Sequence, residues 1–103
     1  MYGTIARMQI VPGAEETLRQ MSAHEMEMDI PGFRFQHVFR SDADPQELFL
    51  VVAFESKEAY QANAASPAQH ARYEQFRALL AADPEWHDGE IVDSYPREST
   101  LRG

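Results

Sequence analysis

Four segments of this chain either alternate between apolar and polar residues or are apolar throughout, and they predict four β-strands. These segments are residues 2–11, Phe33–Arg40, Leu48–Phe54 and Glu90–Tyr95. The alternation is strictest in the second segment. The third segment is instead apolar on both faces, which indicates a strand that is covered on both sides.

Two helical regions separate the strands. Residues 14–28 carry two glutamates in the first turn, where the helix dipole favours negative charge, followed by an apolar stripe. Residues 56–82 form the second region, and Ser66-Pro67-Ala68-Gln69 predicts a break within it. Ser66 is a typical N-cap, Pro67 suits the first helical position, and Gln69 is spaced to close a capping box.

The predicted order of elements is β-α-β-β-α-β, which is typical of a ferredoxin-like α+β fold with a four-stranded antiparallel sheet. Helices cover only one face of such a sheet. The apolar third strand requires a cover on the other face as well, and a second copy of the chain is the simplest cover. We therefore expect a homodimer, with residues 1–95 forming the domain and residues 96–103 a polar tail.

Charge and composition narrow the class of partner. Nine Lys and Arg against seventeen Asp and Glu give a net charge of −8 over 103 residues, which disfavours nucleic acid and anionic membranes. The absence of cysteine excludes disulfides and thiolate chemistry. No apolar run approaches the length of a membrane span and no signal sequence is apparent, so we expect a cytoplasmic protein.

Cofactor motifs are missing from the sequence. It contains neither a glycine-rich dinucleotide motif nor a phosphate-binding loop. The four histidines show no spacing typical of metal ligands; they are His24, His37, His70 and His87. We therefore expect no cofactor and no metal site.

Several short motifs occur together with this order of elements. They are Pro12-Gly13 after the first strand, Pro31-Gly32-Phe33 at the start of the second, Phe54–Tyr60 after the third, and Ser66-Pro67 and His70–Tyr73 in the second helical region. Over residues 2–95, this combination resembles the antibiotic biosynthesis monooxygenase family. The resemblance implies a dimeric α/β barrel. It also implies an activity from a range that includes cofactor-free oxygenation of anthrones and quinols.

The resemblance also suggests site residues. Asn, Trp, Tyr and Arg side chains line the pocket of the anthrone-oxygenating members, and Asn63 and Tyr73 match two of these roles. Phe54 stands where members commonly have Trp. The residues that haem-degrading members use are not matched at the corresponding positions Ala6, Asn63 and Tyr73, so haem breakdown is not expected.

Helical spacing places His70, Tyr73 and Arg77 side by side at the edge of an apolar stripe that includes Phe76. Cofactor-free oxygenation needs a base that generates an electron-rich anion and donors that hold its oxygen. His70 is our candidate base, with Tyr73, Asn63 and Arg77 as donors. Alternatively, His70 and Arg77 are ordinary surface residues and Asn63 caps the helix break.

A pocket wall is predicted on the second strand, where three phenylalanines and one histidine fall on the same face and suit a flat aromatic ligand. The other face of that strand is polar enough for solvent or the rim of a dimer. The alternative for His37 is a core histidine with a partner in the protein. The predicted substrate-binding residues are Phe33, Phe35, His37, Phe54, Phe76 and Arg77.

The sequence thus favours a cofactor-independent monooxygenase of small aromatic or polyketide-like substrates, such as an anthrone or a quinol. One alternative is a non-catalytic dimeric module that binds a hydrophobic small molecule. Another is an isomerase, decarboxylase or cyclase that uses the same pocket, because a fold does not fix a reaction.

Overall fold

The computed structural model describes residues 1–26 and 28–96 and has the predicted order of strands and helices. Its elements are β1 (Tyr2–Gln9), α1 (Glu15–Met26), β2 (Phe33–Arg40), β3 (Glu47–Phe54), α2 (Lys57–Ala64), α3 (Pro67–Arg77) and β4 (Glu85–Glu90). The strands form one antiparallel sheet in the order β2-β3-β1-β4. This is the ferredoxin-like α+β fold that the sequence predicts.

The register of the strands gives the sheet two unlike faces, because residues directly opposite each other in neighbouring strands point the same way. Ala6 on β1 pairs with Leu50 on β3 and Trp86 on β4, and this face lies under the helices. The other face carries Ile5, which is 51% exposed, and Phe39, which is 63% exposed. The sheet is therefore closed on one face and open to solvent on the other.

The hydrophobic core lies between the helices and one end of the sheet. The face of the first strand that alternation predicts to be apolar is buried throughout: Thr4, Ala6, Met8 and Ile10 are each at most 5% exposed. Met8 and Ile10 pack with Leu18 of α1, with Leu48 of β3 and with Leu80. This packing fixes one end of the molecule and leaves room between α1, α3 and the middle of the sheet.

The predicted break in the second helical region is present, with one difference. The backbone N–H of Gln69 donates to Ser66 Oγ at 3.0 Å, and Pro67 opens α3. The capping box is only half formed, because the Ser66 N–H donates to the Asn63 carbonyl and the Gln69 carboxamide accepts from Arg72 instead. The helix also ends at Arg77 rather than near residue 82, since the chain turns so that Leu80 can pair with Ile10.

The position of the last strand was predicted wrongly. β4 spans Glu85–Glu90, and the residues that follow it, which were expected to form the strand, have no regular structure. Asp88 and Gly89 belong to this strand, since they pair with Thr4 and Gly3 of β1. β4 is an exposed edge strand, which needs few apolar residues. Its mostly polar sequence therefore did not predict a strand.

Residues 97–103 of the predicted tail lie outside the described residues. In the part of the chain that is described, no helix is both long enough and apolar enough to cross a membrane.

Candidate functional site

A cavity of about 340 Å³ lies between the sheet and the helices α1, α2 and α3. Its volume is in the range of small-molecule binding sites. Six aromatic rings dominate its wall, and they form two groups of rings in contact. One group is Phe33, Phe54 and Tyr60, and the other is Tyr73, Phe76 and Trp86. Such a wall suits a flat, apolar ligand.

Six of the nine candidate site residues line this cavity. They are the three candidate catalytic residues and three of the candidate binding residues, namely Asn63, His70, Tyr73, Phe33, Phe54 and Phe76. The structure brings them together from β2, β3, α2 and α3. Within the described part of the chain, neither the Asn63 carboxamide nor the Tyr73 hydroxyl has a hydrogen-bond partner.

Phe35 and His37 do not line the cavity, so the predicted wall of β2 is wrong for these two residues. The cause is a β-bulge between Phe33 and Phe35, where β2 has one residue more than its partner strand. Phe33 therefore lies opposite Phe54 and faces the cavity. His37 lies opposite Val51 on the open face, where its ring is 5.1 Å from that of Phe35. The residues of β2 that face the cavity beyond the bulge are Gln36 and Val38, which were expected at solvent or at a dimer rim.

Arg77 was also expected in the pocket, and the structure places it elsewhere. Its Nε donates to Asp83 Oδ1 at 2.7 Å, and its Nη1 donates to the Leu80 carbonyl oxygen at 3.1 Å. Both partners follow the C-terminal end of α3, where free carbonyl groups attract a cation. Arg77 therefore secures the end of α3 and does not line the cavity.

His70 lies at the mouth of the cavity. Its side chain is 73% exposed, and its Nε2 is 2.7 Å from the Glu74 carboxylate one turn further along α3. A carboxylate at this distance holds a proton on Nε2 and so leaves Nδ1 free to accept one. The exposure of His70 agrees with an ordinary surface residue, and its free Nδ1 at the cavity agrees with a base. Both alternatives from the sequence therefore remain compatible with its position.

Tyr60 contributes a polar group at the other end of the wall. Its hydroxyl donates to Asp88 Oδ1 at 2.9 Å, which joins α2 to β4. Burial raises the pKa of Tyr60, and the hydrogen bond to the negatively charged Asp88 raises it further, to about 12. At neutral pH this phenol is therefore protonated and serves as a donor, not as a base.

Three further residues of the wall were not predicted as site residues. Trp86 precedes the segment predicted as the last strand, but it belongs to β4, where it lies opposite Ala6 and its ring centre is 6.2 Å from that of Tyr73. Gln69 and Arg72 line the cavity from α3. The available signal was helical spacing, because residues 69, 72, 73 and 76 follow the i, i+3, i+4, i+7 pattern of one helix face.

The charged groups of the wall are few. Among the described lining residues none is acidic, and the cations are Arg72 and the titratable His70. Across residues 1–26 and 28–96, no three His, Asp or Glu side chains come together in an arrangement that could hold a metal ion.

The sequence model of the antibiotic biosynthesis monooxygenase family matches residues 1–79, which is more than three quarters of the chain. The chain belongs to this family. Among curated protein sequences, none is significantly similar to it.

Solved structures of the family share this fold. SnoaB, a cofactor-independent oxygenase from Streptomyces nogalater, is 15% identical; the match covers 93% of this chain and 97% of SnoaB with a TM-score of 0.76. A protein from Chloroflexus aurantiacus named for the same family is 26% identical and matches over 90% of this chain and 94% of its own, with a TM-score of 0.72. Rv0793 from Mycobacterium tuberculosis is 22% identical over 90% of this chain and 96% of its own, also with a TM-score of 0.72. These likenesses establish the fold over nearly the whole chain.

Proposed function

We propose that this protein is a cofactor-independent monooxygenase that oxidises a small hydroxyaromatic or polyketide-like substrate, such as an anthrone or a quinol. The observation that supports this most is that one aromatic cavity holds a candidate base, His70, together with Asn63 and Tyr73, two hydrogen-bonding side chains that have no partner among the described residues. The family of the chain and its structural likeness to an oxygenase of this kind agree with the proposal.

The first step is removal of a proton from the substrate. His70 Nδ1 accepts this proton, since the Glu74 carboxylate occupies the other ring nitrogen. The position of His70 at the mouth lets the proton pass on to water. The substrate becomes an electron-rich enolate or phenolate, which is the form that reacts with dioxygen.

The second step is stabilisation of that anion. Asn63 and Tyr73 line the cavity and each carries a hydrogen-bond donor, and such donors lower the energy of a negatively charged oxygen when water is excluded. The rings of Phe33, Phe54 and Phe76 supply the apolar surroundings that strengthen these hydrogen bonds.

The remaining steps use dioxygen alone. The anion passes one electron to dioxygen, and the two radicals combine to a peroxide on the substrate carbon. For an anthrone, the methylene group becomes a carbonyl: one oxygen atom of dioxygen enters the product, and the other leaves as water with the two hydrogens of the methylene. The electrons come from the substrate, so no external reductant is needed.

We also propose that two copies of the chain pack through the open face of the sheet. That face exposes Ile5 and Phe39 and carries Phe49 and Val51 beside them. Monomers rarely leave apolar patches of more than a few hundred Å² in contact with water. A second copy also accounts for a third strand that is apolar on both sides.

Oxygen consumption tests the proposed activity. Purified protein is mixed with anthrones and quinols of two and three rings in an oxygen electrode, without metal, flavin or nicotinamide. Turnover above the rate of spontaneous oxidation supports the proposal. No turnover across the panel, with ligands that nevertheless raise the melting temperature, favours the non-catalytic binding module instead.

A further inference from the structure

We propose that the ligand of this cavity is an aromatic anion, and that Arg72, oriented by Gln69, binds its negatively charged oxygen group. The inference rests on the proposed function only in taking this cavity as the substrate site. It adds the charge of the substrate and the residue that selects for that charge.

The first observation is the set of partners around Arg72. Its Nη2 donates to Gln69 Oε1 at 2.7 Å, and its Nη1 lies 3.9 Å from Met28 Sδ, a weak acceptor. Its Nε is buried and has no hydrogen-bond partner among the described residues. A guanidinium has five N–H donors, so Arg72 keeps N–H groups that have no partner among the described residues.

The second observation is the absence of a counter-charge. Arg7, Arg19, Arg40 and Arg77 each form an ion pair with a carboxylate. For Arg72, the described residues supply no carboxylate within 4.0 Å, and none of those that line the cavity is acidic. This is unexpected in a chain with seventeen Asp and Glu and a net charge of −8. A partly buried cation without an anion is unfavourable, so the cavity favours a ligand that supplies one.

The third observation is the position of Arg72 in the wall. It lies on the face of α3 that lines the cavity, next to Tyr73 and one turn before Phe76, and these two rings form one of the two aromatic groups together with Trp86. An aromatic ring against these side chains therefore brings a charged substituent near the guanidinium. Arginine binds carboxylates and phenolates with strong, directed hydrogen bonds.

The anionic oxygen has two possible sources, a carboxylate on the ring system or the phenolate formed from the substrate itself. Three probes of similar shape distinguish them: 2-naphthoate, its neutral amide, and 2-naphthol. Calorimetry on the intact protein measures the affinity for each probe. The chain has one tryptophan, and it lines the cavity, so the NMR signal of the Trp86 indole N–H reports whether the probe binds there.

We expect 2-naphthoate to bind about 10- to 100-fold more tightly than the amide, the range for a hydrogen bond to a charged group. Arg72→Met keeps an unbranched apolar stem and removes the charged guanidinium, so this preference disappears. Arg72→Lys keeps the charge and retains part of the preference. The matched control is Arg19→Met on the exposed side of α1, which makes the same change in net charge and leaves the preference intact.

The phenolate source gives a different pattern. In that case 2-naphthoate has no advantage over the amide, but bound 2-naphthol absorbs as the anion at a pH where free 2-naphthol is neutral, and Arg72→Met abolishes this absorbance. The proposal is overturned if neither pattern is seen, if the preference survives Arg72→Met, or if binding leaves the Trp86 signal unchanged. None of these measurements requires turnover, so they stand or fall separately from the oxygen consumption assay.

Discussion

At the level of single side chains, the cavity combines the proposed base His70 with the proposed donors Asn63 and Tyr73. His70 Nε2 contacts the Glu74 carboxylate, whereas the side chains of Asn63 and Tyr73 have no hydrogen-bond partner among the described residues. Side chains without internal partners contribute little to folding, so changes to them affect function more than stability.

Removal of His70 tests the proposed base. His70→Ala lowers the turnover rate by about 10²- to 10⁴-fold, the usual contribution of a general base. Because this side chain is mostly exposed, the melting temperature changes little.

His24→Ala is the matched control, because His24 is exposed on α1 and does not line the cavity. Tyr73→Phe and Asn63→Ala each cost less than His70→Ala, since each removes one donor and leaves the base. Unchanged turnover in all three cavity variants would show that this face of α3 does not carry the chemistry.

The hydrogen bond between Tyr60 and Asp88 gives a pH signature. Because burial and Asp88 raise the pKa of Tyr60 from 10.0 to about 12, the unfolded chain loses this proton first as the pH rises. The stability of the protein therefore declines between about pH 10 and 12, and Tyr60→Phe lacks this part of the decline.

Absorbance titration of the phenolate measures this directly, as the difference between the wild type and Tyr60→Phe. Asp88→Asn moves the transition of Tyr60 to lower pH but not fully to the ordinary value, since burial remains the larger cause. A difference curve centred at the ordinary value in the wild type would rule out the buried, hydrogen-bonded phenol.

Which side chains reach the cavity was only partly predictable. Tyr73 and Phe76 follow from helical spacing, and Asn63 follows from the family resemblance. Arg72 was not predicted, because the spacing that links His70, Tyr73 and Arg77 led us to assign the guanidinium of the site to Arg77. Arg77 binds Asp83 and the Leu80 carbonyl instead of lining the cavity. These contacts depend on where α3 ends, which the local sequence does not determine.

Among the elements, those with strong local signals were predicted best. The alternation in β2 and the Ser66-Pro67 restart of α3 agree with the structure, because each depends on neighbouring residues. The bulge in β2 and the place of β4 depend on pairing with distant strands. The pattern of residues along the chain does not contain that information, so the face of His37 was predicted wrongly and Trp86 was not predicted as a site residue.

Two glycines, Gly13 and Gly32, both have left-handed backbones, but only Gly32 is crowded by neighbouring atoms. Substitution of each by alanine therefore distinguishes the cost of backbone strain from the cost of a steric clash. Gly13 has φ +85° and open space around its Cα, whereas a Cβ on Gly32, at φ +78°, would lie 2.5 Å from Ala59 Cβ in α2. Gly13→Ala therefore costs about 1–2 kcal/mol for the backbone alone. Gly32→Ala costs that amount and about 1–3 kcal/mol more for overpacking.

Urea unfolding of both variants at one protein concentration measures the difference, and a fixed concentration matters because an associated protein gains stability with concentration. Equal losses for the two glycines would show that β2 and α2 do not approach each other as closely as the structure indicates.

At the scale of the whole molecule, the two faces of the sheet have different proposed roles: one lines the ligand cavity, and the other forms the contact with a second copy. One face forms the floor of the cavity, and the other is open and exposes apolar side chains such as Ile5 and Phe39 beside the ion pairs of Arg7. Association through the open face would keep the cavity inside each copy. It would also give His37 and Phe35 a place in an interface instead of the ligand site.

Light scattering tests this arrangement. We expect twice the mass of one chain at micromolar concentration, and Phe39→Asp raises the dissociation constant at least about 100-fold by placing a charge in an apolar interface. Ala23→Asp on the exposed side of α1 adds the same charge and leaves the mass unchanged. A wild-type protein with the mass of a single chain would contradict the proposed dimer.

The most direct measurement of the proposed activity follows the oxygen atoms. The protein is incubated with an anthrone under ¹⁸O₂, without added cofactor, and the product is analysed by mass spectrometry. Cofactor-independent monooxygenation predicts one ¹⁸O atom in the new carbonyl of each product molecule, at a rate that His70→Ala reduces. Product that forms no faster than without protein, or that carries oxygen from water after exchange has been controlled for, would contradict it.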